Sequence, residues 1–165
     1  MASDNQQQKQ PTARIVTDTR EQRPYDFRNA IRTALPAGDY SIEGYESRVA
    51  IERKSLDDFI GTVLRSRERF AREIDMLRNY EFAAVVIEST PQDITGGNYK
   101  SMIAPSALLG IITGAMVRFQ PVHVVLAGDR PHAKRITESL LVFAAQRCRE
   151  NDALRALVEG QSDGE

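Results

Sequence analysis

The run EFAAVVIE at residues 81–88 restricts the fold more than any other stretch of the chain. An unbroken apolar stretch of that length between charged ends fits a buried strand, and buried strands belong to sheets covered by helices. Beyond it the pattern alternates. Residues 90–100 (TPQDITGGNYK) read as a Gly-rich loop, about 105–118 as a helix, 122–127 as a strand and about 131–150 as a last helix. Two strand-helix alternations in succession predict a mixed α/β domain with a partly parallel sheet.

The upstream half supplies more strands. Residues 14–19 (RIVTDT) read as a strand, followed by a turn-rich stretch around Pro24 and Pro36. The runs 39–44 and 48–54 flank a turn near 44–47 and form a hairpin, its second strand reading RVAIERK up to Lys54. Residues 55–64 are helical, with Ser55 as N-cap and Asp57 and Asp58 in the first turn. A second helix over 66–80 carries Phe70, Ile74 and Leu77 at helical spacing, a core-facing stripe.

Length and composition bound the rest. A chain of 165 residues, 41% apolar and 27% charged, suits one globular domain. We place it at 14–150, between a polar flexible tail at 1–13 and an acidic C-terminal tail or frayed helix at 151–165. No internal repeat divides it. No apolar run approaches the ~18 residues of a membrane span and no signal peptide is present, so the expected location is intracellular, with no membrane partner. The single cysteine, Cys148, lies in an apolar helical segment and reads as a buried bystander. A formal charge of -1 argues against a nucleic-acid partner, but the stretch left without the two tails carries +2.

Elimination narrows the chemistry. Two histidines and one cysteine are too few for a zinc site or a histidine-based hydrolase centre. His123 in an apolar strand and His132 at a helix start read as structural or solvated. Gly96-Gly97 is an isolated pair, and no phosphate-binding or dinucleotide-binding glycine motif is present. Carboxylates remain. Side chains alternate across a strand, so Glu52 and Lys54 share a face, and Asp39 opens the neighbouring strand. A carboxylate from each strand can converge on one hard cation, Mg²⁺ or Mn²⁺, with Lys54 placed to position a water or steady a phosphorus centre. A solvated sheet face with a Glu/Lys pair fits the same spacing, and spacing does not choose between the two.

Gly38-Asp39 followed by Glu52-Arg53-Lys54-Ser55-Leu56-Asp57-Asp58 resembles the GD(x)nERKxxxD signature of the XPF-type structure-specific endonucleases, with every fixed position filled. Asp18-Thr19-Arg20-Glu21 is similar to that family's D-x-R-E element. Arg69-Phe70 and the run 81–88 match its arginine-bearing helix and following buried strand. The likeness spans about 14–150. It implies a restriction-endonuclease-like core, a mixed central sheet flanked by helices, that cuts branched or single-strand/double-strand junction DNA with a divalent cation. Asp39 and Glu52 are then metal ligands, Lys54 the catalytic lysine and Asp18 a further carboxylate near the metal. Arg20, Arg53 and Asp58 match positions that support the site. Strand alternation turns Arg53 away from Glu52, so its expected part is to organise neighbours or contact phosphate.

Members of that family normally append a tandem helix-hairpin-helix module that grips duplex DNA, and the acidic stretch after the core does not resemble one. Stand-alone versions imply a microbial or phage setting, weaker DNA binding, or a protein partner that supplies affinity. Two rival readings stay open: a noncatalytic DNA-junction or partner-binding module, and a Holliday-junction resolvase using the same residues. Arg65, Arg69 and Arg72, placed opposite the Phe70 stripe, form a candidate DNA surface, and equally an ordinary solvated face. The resemblance also implies a homodimer or heterodimer through the last helices, where Leu140, Leu141, Phe143 and Ala144 are apolar. Core packing accounts for them as simply.

Overall fold

Alternation along the strands divides the chain's apolar residues between two cores, one on each face of a single sheet. The structure, a computed structural model, describes residues 14–162. The expected tail at 1–13 lies outside the described residues. In chain order come β1 (Ile15–Asp18), β2 (Ile31–Thr33), β3 (Tyr40–Ile42) and β4 (Val49–Ser55). Helices α1 (Leu56–Arg65) and α2 (Arg67–Leu77) lead to β5 (Phe82–Glu88), then α3 (Pro91–Gly96) and α4 (Pro105–Arg118) lead to β6 (His123–Leu126). The long α5 (Arg130–Ser162) closes the described chain.

The strands form one sheet in the order β2-β1-β3-β4-β5-β6. Its β4-β5-β6 half is parallel and β3 is antiparallel to both of its neighbours, as the hairpin and the later alternations predict. Neighbouring residues go to opposite cores. Ile51, Ala84 and Val86 pack with Ile42, Tyr40 and the Leu141, Ala144 and Cys148 side of α5. Ala50, Val85 and Ile87 pack with Phe59, Phe70, Ile74 and Leu108 from α1, α2 and α4. Val85, Val86 and Ile87 are completely buried, each contributing about 1.5–3 kcal/mol relative to exposure. Only the last residues of β4, from Glu52 onward, emerge from full burial. The sheet thus delivers its polar residues at the carboxyl end of a parallel strand, where ligands of α/β sheets gather.

Four details depart from the sequence reading. The turn-rich stretch contains β2, which pairs in parallel with β1 through Val16, Thr17 and Asp18, a non-local contact no short-range pattern announces. The loop read at 90–100 begins with α3, whose Thr90 and Asp93 form a reciprocal capping box, with Pro91 in the first turn and Gly97 in the left-handed region at φ 73°. Helix α2 ends at Leu77 rather than 80. Helix α5 runs on through 151–162 instead of stopping near 150. There Arg48 donates to both carboxylate oxygens of Asp152 at 2.8 Å, tying the extension to the start of β4.

Candidate active site

The signature's glycine has a backbone reason. Gly38 sits at φ 75°, and a Cβ there would lie 3.0 Å from the carbonyl oxygen of Ile51. That close pass beside β4 sets up Asp39, whose N–H donates to the Ile51 carbonyl at 2.8 Å while its own carbonyl accepts from the Asp18 N–H at 2.8 Å. The Asp39 carboxylate then takes over where the β3 ladder ends, its Oδ2 accepting the Arg53 N–H at 2.7 Å. Main chain from both sides fixes this acid.

Glu52 and Lys54 leave β4 on one face, as alternation requires, and Lys54 Nζ donates to Glu52 Oε1 at 2.8 Å. Their side chains are 19% and 11% exposed, and the Lys54 ammonium also lies 5.2 Å from the centre of the Phe70 ring. Asp39 and Glu52 line one cavity of about 300 Å³ together with Asp18, Arg20 and Glu73. Burial, then the nearby Glu52 charge, pushes the Asp39 carboxyl up to about 8. Two acids on neighbouring strands therefore converge, and they do so at an electrostatic cost. Among the described residues, no group of three or more His, Cys, Asp or Glu side chains is arranged to hold a metal ion.

Asp18 reaches the same cavity in a different state. Its Oδ1 accepts from the Arg20 N–H and Nε at 2.6 and 2.8 Å, and its Oδ2 from Arg20 Nη2 and the Leu35 N–H at 2.9 and 2.7 Å. The Arg20 guanidinium holds this carboxyl down to about 2. Both oxygens are thereby engaged with Arg20 and Leu35, so Asp18 orients the Arg20 guanidinium while lining the same cavity as Asp39 and Glu52. Asp58 is likewise committed: it accepts from the Ser55 hydroxyl at 2.7 Å, while its N–H donates to that hydroxyl at 3.1 Å, closing the N-cap of α1. Arg53 turns to the opposite face, as expected, where it meets Glu21 at 3.4 Å and Glu88 at 3.3 Å.

The expected arginine surface is split. Arg65 is the last residue of α1, and only Arg69 and Arg72 belong to α2. Arg65 and Arg69 nevertheless face a second cavity of about 370 Å³, lined also by Lys54, Asp57 and Asp58, so the basic groove begins at the catalytic lysine candidate. Arg72 is exposed and lines neither cavity. His123 stacks on Phe82 and His132 pairs with Asp129, both away from the acids.

Sequence reasoning misses Glu73. It reads as an intrahelical partner of the arginines, and it does pair with Arg69 at 3.5 Å, but α2 also carries it to the acidic cavity wall. No spacing in the sequence announces that. Glu88, Tyr25 and Arg130, which gather behind Arg53, carry no sequence signal of a site either.

The ERCC4 domain model matches residues 17–140. The chain belongs to the ERCC4 domain family. This ERCC4 domain is similar to XPF from Aeropyrum pernix, at 20% identity and a TM-score of 0.61, over 79% of this chain and 61% of that one. It is similar also to XPF from Aeropyrum pernix in complex with DNA, at 19% identity and a TM-score of 0.59, over 82% of this chain and 66% of that one. The chain thus spans less than two thirds of the solved chains it matches. No curated protein matches the sequence. The likeness establishes the restriction-endonuclease-like core that the signature implied, a mixed six-stranded sheet flanked by helices.

Proposed function

We propose that this ERCC4 domain is a divalent-metal-dependent endonuclease that hydrolyses phosphodiester bonds in branched or single-strand/double-strand junction DNA, in repair or recombination. One observation carries the reading: Asp39 and Glu52 arrive from neighbouring strands in one cavity, with the Lys54 ammonium 2.8 Å from Glu52. Burial and, after it, the nearby Glu52 charge push the Asp39 carboxyl up to about 8, and a buried pair of acids of this kind gains from a cation. Mg²⁺ and Mn²⁺ fit such a donor set, since Mg²⁺ takes one or two carboxylates and keeps several waters. When bound, the ion polarises a phosphoryl oxygen and lowers the pKa of a coordinated water.

The protein's own groups do the rest. Asp39 and Glu52 would hold the ion, and the Arg53 N–H fixes the orientation of the Asp39 carboxylate. Lys54, a donor with three protons, bonds a phosphate oxygen and offsets the negative charge that grows as the bond breaks. Arg20, steered by Asp18, faces the same cavity and attracts the strand entering it. Arg65 and Arg69 bind phosphates beside Lys54, and Arg72 adds exposed positive charge along α2. A core charge of only +2 leaves duplex affinity low, which supports a protein partner or a second subunit as the source of grip. Helix α5 suits a dimer contact, homotypic or heterotypic, because Val142 and Phe143 face solvent while Leu141 and Ala144 are buried in the core.

A cleavage panel tests the reading. Flap, fork, splayed-arm and four-way junctions are incubated beside a linear duplex with Mg²⁺ or Mn²⁺, and cuts are expected at branch points with the linear duplex largely spared. Junction binding without any cut across the metals would favour a noncatalytic module instead. Symmetric cutting confined to four-way junctions would favour a resolvase.

A further inference from the structure

Arg53 faces two ways. Its N–H, at the front, is the donor that fixes Asp39 Oδ2 at 2.7 Å. Its guanidinium, on the back of β4 and 8% exposed, lies between Glu21 and Glu88 at 3.4 and 3.3 Å. Glu88 ends β5 and does more than pair with Arg53. Its Oε1 also accepts from Arg130 Nη1 at 2.9 Å and from the Tyr25 hydroxyl at 2.9 Å. Arg130, at the start of α5, donates further to the Pro24 carbonyl at 3.0 Å and to the Arg23 carbonyl, and it lies 4.8 Å over the Tyr25 ring.

One carboxylate oxygen thus ties β4, β5, α5 and the loop before β2 together, directly behind the residues that carry the chemistry. Two acids and two guanidiniums balance in charge, which is what burial of such groups requires. Glu52 and Lys54 flank Arg53 in the strand, so whatever holds the Arg53 side chain also sets the height and twist of the tip that presents them. Sites of this kind tolerate displacements of only about 0.5 Å.

We infer that Glu88 and Arg130 are positioning residues for the front of the site, acting through Arg53 on the Asp39 carboxylate. The geometric claim stands on these contacts alone; only its meaning for metal binding and cleavage rests on the nuclease reading. Glu88→Gln keeps the side chain's size and an acceptor for Tyr25 while removing the charge that holds both guanidiniums. Arg130→Ala removes one end of the bridge, and Arg130→Lys restores its charge.

The experiment has three readouts on the full chain. Amide hydrogen exchange of the metal-free protein should show Arg53 N–H protection falling at least ~10-fold in Glu88→Gln and Arg130→Ala, with Val86 and Leu141 unchanged. Calorimetric Mn²⁺ titration should show roughly 10-fold weaker binding, and single-turnover cleavage of bound junction DNA a drop of about 10–100-fold, the usual cost of losing an outer-shell partner. DNA affinity should not change, and Arg130→Lys should recover most of the loss. Unchanged Arg53 protection in both variants would overturn the inference. So would losses spread evenly over the core amides, which would assign the cluster to general stability. Selective loss of Arg53 protection in a protein that neither binds Mn²⁺ nor cuts DNA would uphold the positioning and sink the nuclease reading alone.

Discussion

Asp39 is buried at a cost in stability. Its carboxyl, ordinarily near 3.8, is pushed up to about 8 by burial and by Glu52. Between about pH 4 and pH 8 the folded protein therefore keeps a proton that the unfolded chain has already released, and the stability of the metal-free protein falls as pH rises through that window. Asparagine at this position keeps an acceptor for the Arg53 N–H and removes the charge. Asp39→Asn is expected to be more stable than the wild type at pH 8 by about 1 kcal/mol, with the gain gone near pH 4, as read by urea denaturation without metal. A variant less stable at both pH values would contradict this balance. That Glu52 and Lys54 share a face was legible in the sequence, because side chains alternate along a strand, whereas the part of Asp39 beside them was carried by the GD…ERK signature and not by spacing. The clamp on Asp18 was not. One of its donors is the Leu35 N–H, brought in by a loop whose path follows no periodicity.

Among the elements, the passage from Gly38 through β3 to β4 governs the site. A side chain at Gly38 needs both a positive φ of 75° and room where the Ile51 carbonyl oxygen stands 3.0 Å away. Gly38→Ala is expected to cost about 1–3 kcal/mol and, by shifting Asp39 off its ladder bonds, to lower cleavage more than it lowers DNA binding. Urea denaturation and single-turnover kinetics measure the two effects; equal stability and rate would show that the glycine is incidental. The long periodic or apolar stretches α2, α4 and β5 were readable from the sequence because their stripes repeat over several turns or fill a whole strand. Element β2 was not, since its three residues hold through pairing with β1 rather than through their own pattern. Helix α3 carried its signal in Thr90-Pro91-Gln92-Asp93, a capping box with proline in the first turn, hidden beneath the glycines that end it. The last turns of α5, where Arg48 reaches Asp152 from the start of β4, read from composition alone as an acidic tail or frayed helix.

Across the whole molecule, two charge environments lie on either side of Lys54: an acidic cavity holding Asp39, Glu52 and Glu73, and a basic one reaching to Arg65 and Arg69. A scissile phosphate between them would meet an ion on one side and ammonium and guanidinium groups on the other. The near-neutral total charge hides this division, which is why bulk composition argued weakly against a nucleic-acid partner. In the proposed function, Asp39 and Glu52 jointly hold the ion. The decisive measurement is single-turnover cleavage of a splayed-arm DNA in Mn²⁺, comparing the wild type with Asp39→Asn and Glu52→Gln at saturating protein. Each variant is expected to bind the junction as before and to cut it about 10³-fold more slowly, equivalent to roughly 4 kcal/mol of barrier. Both variants cutting at the wild-type rate would contradict it.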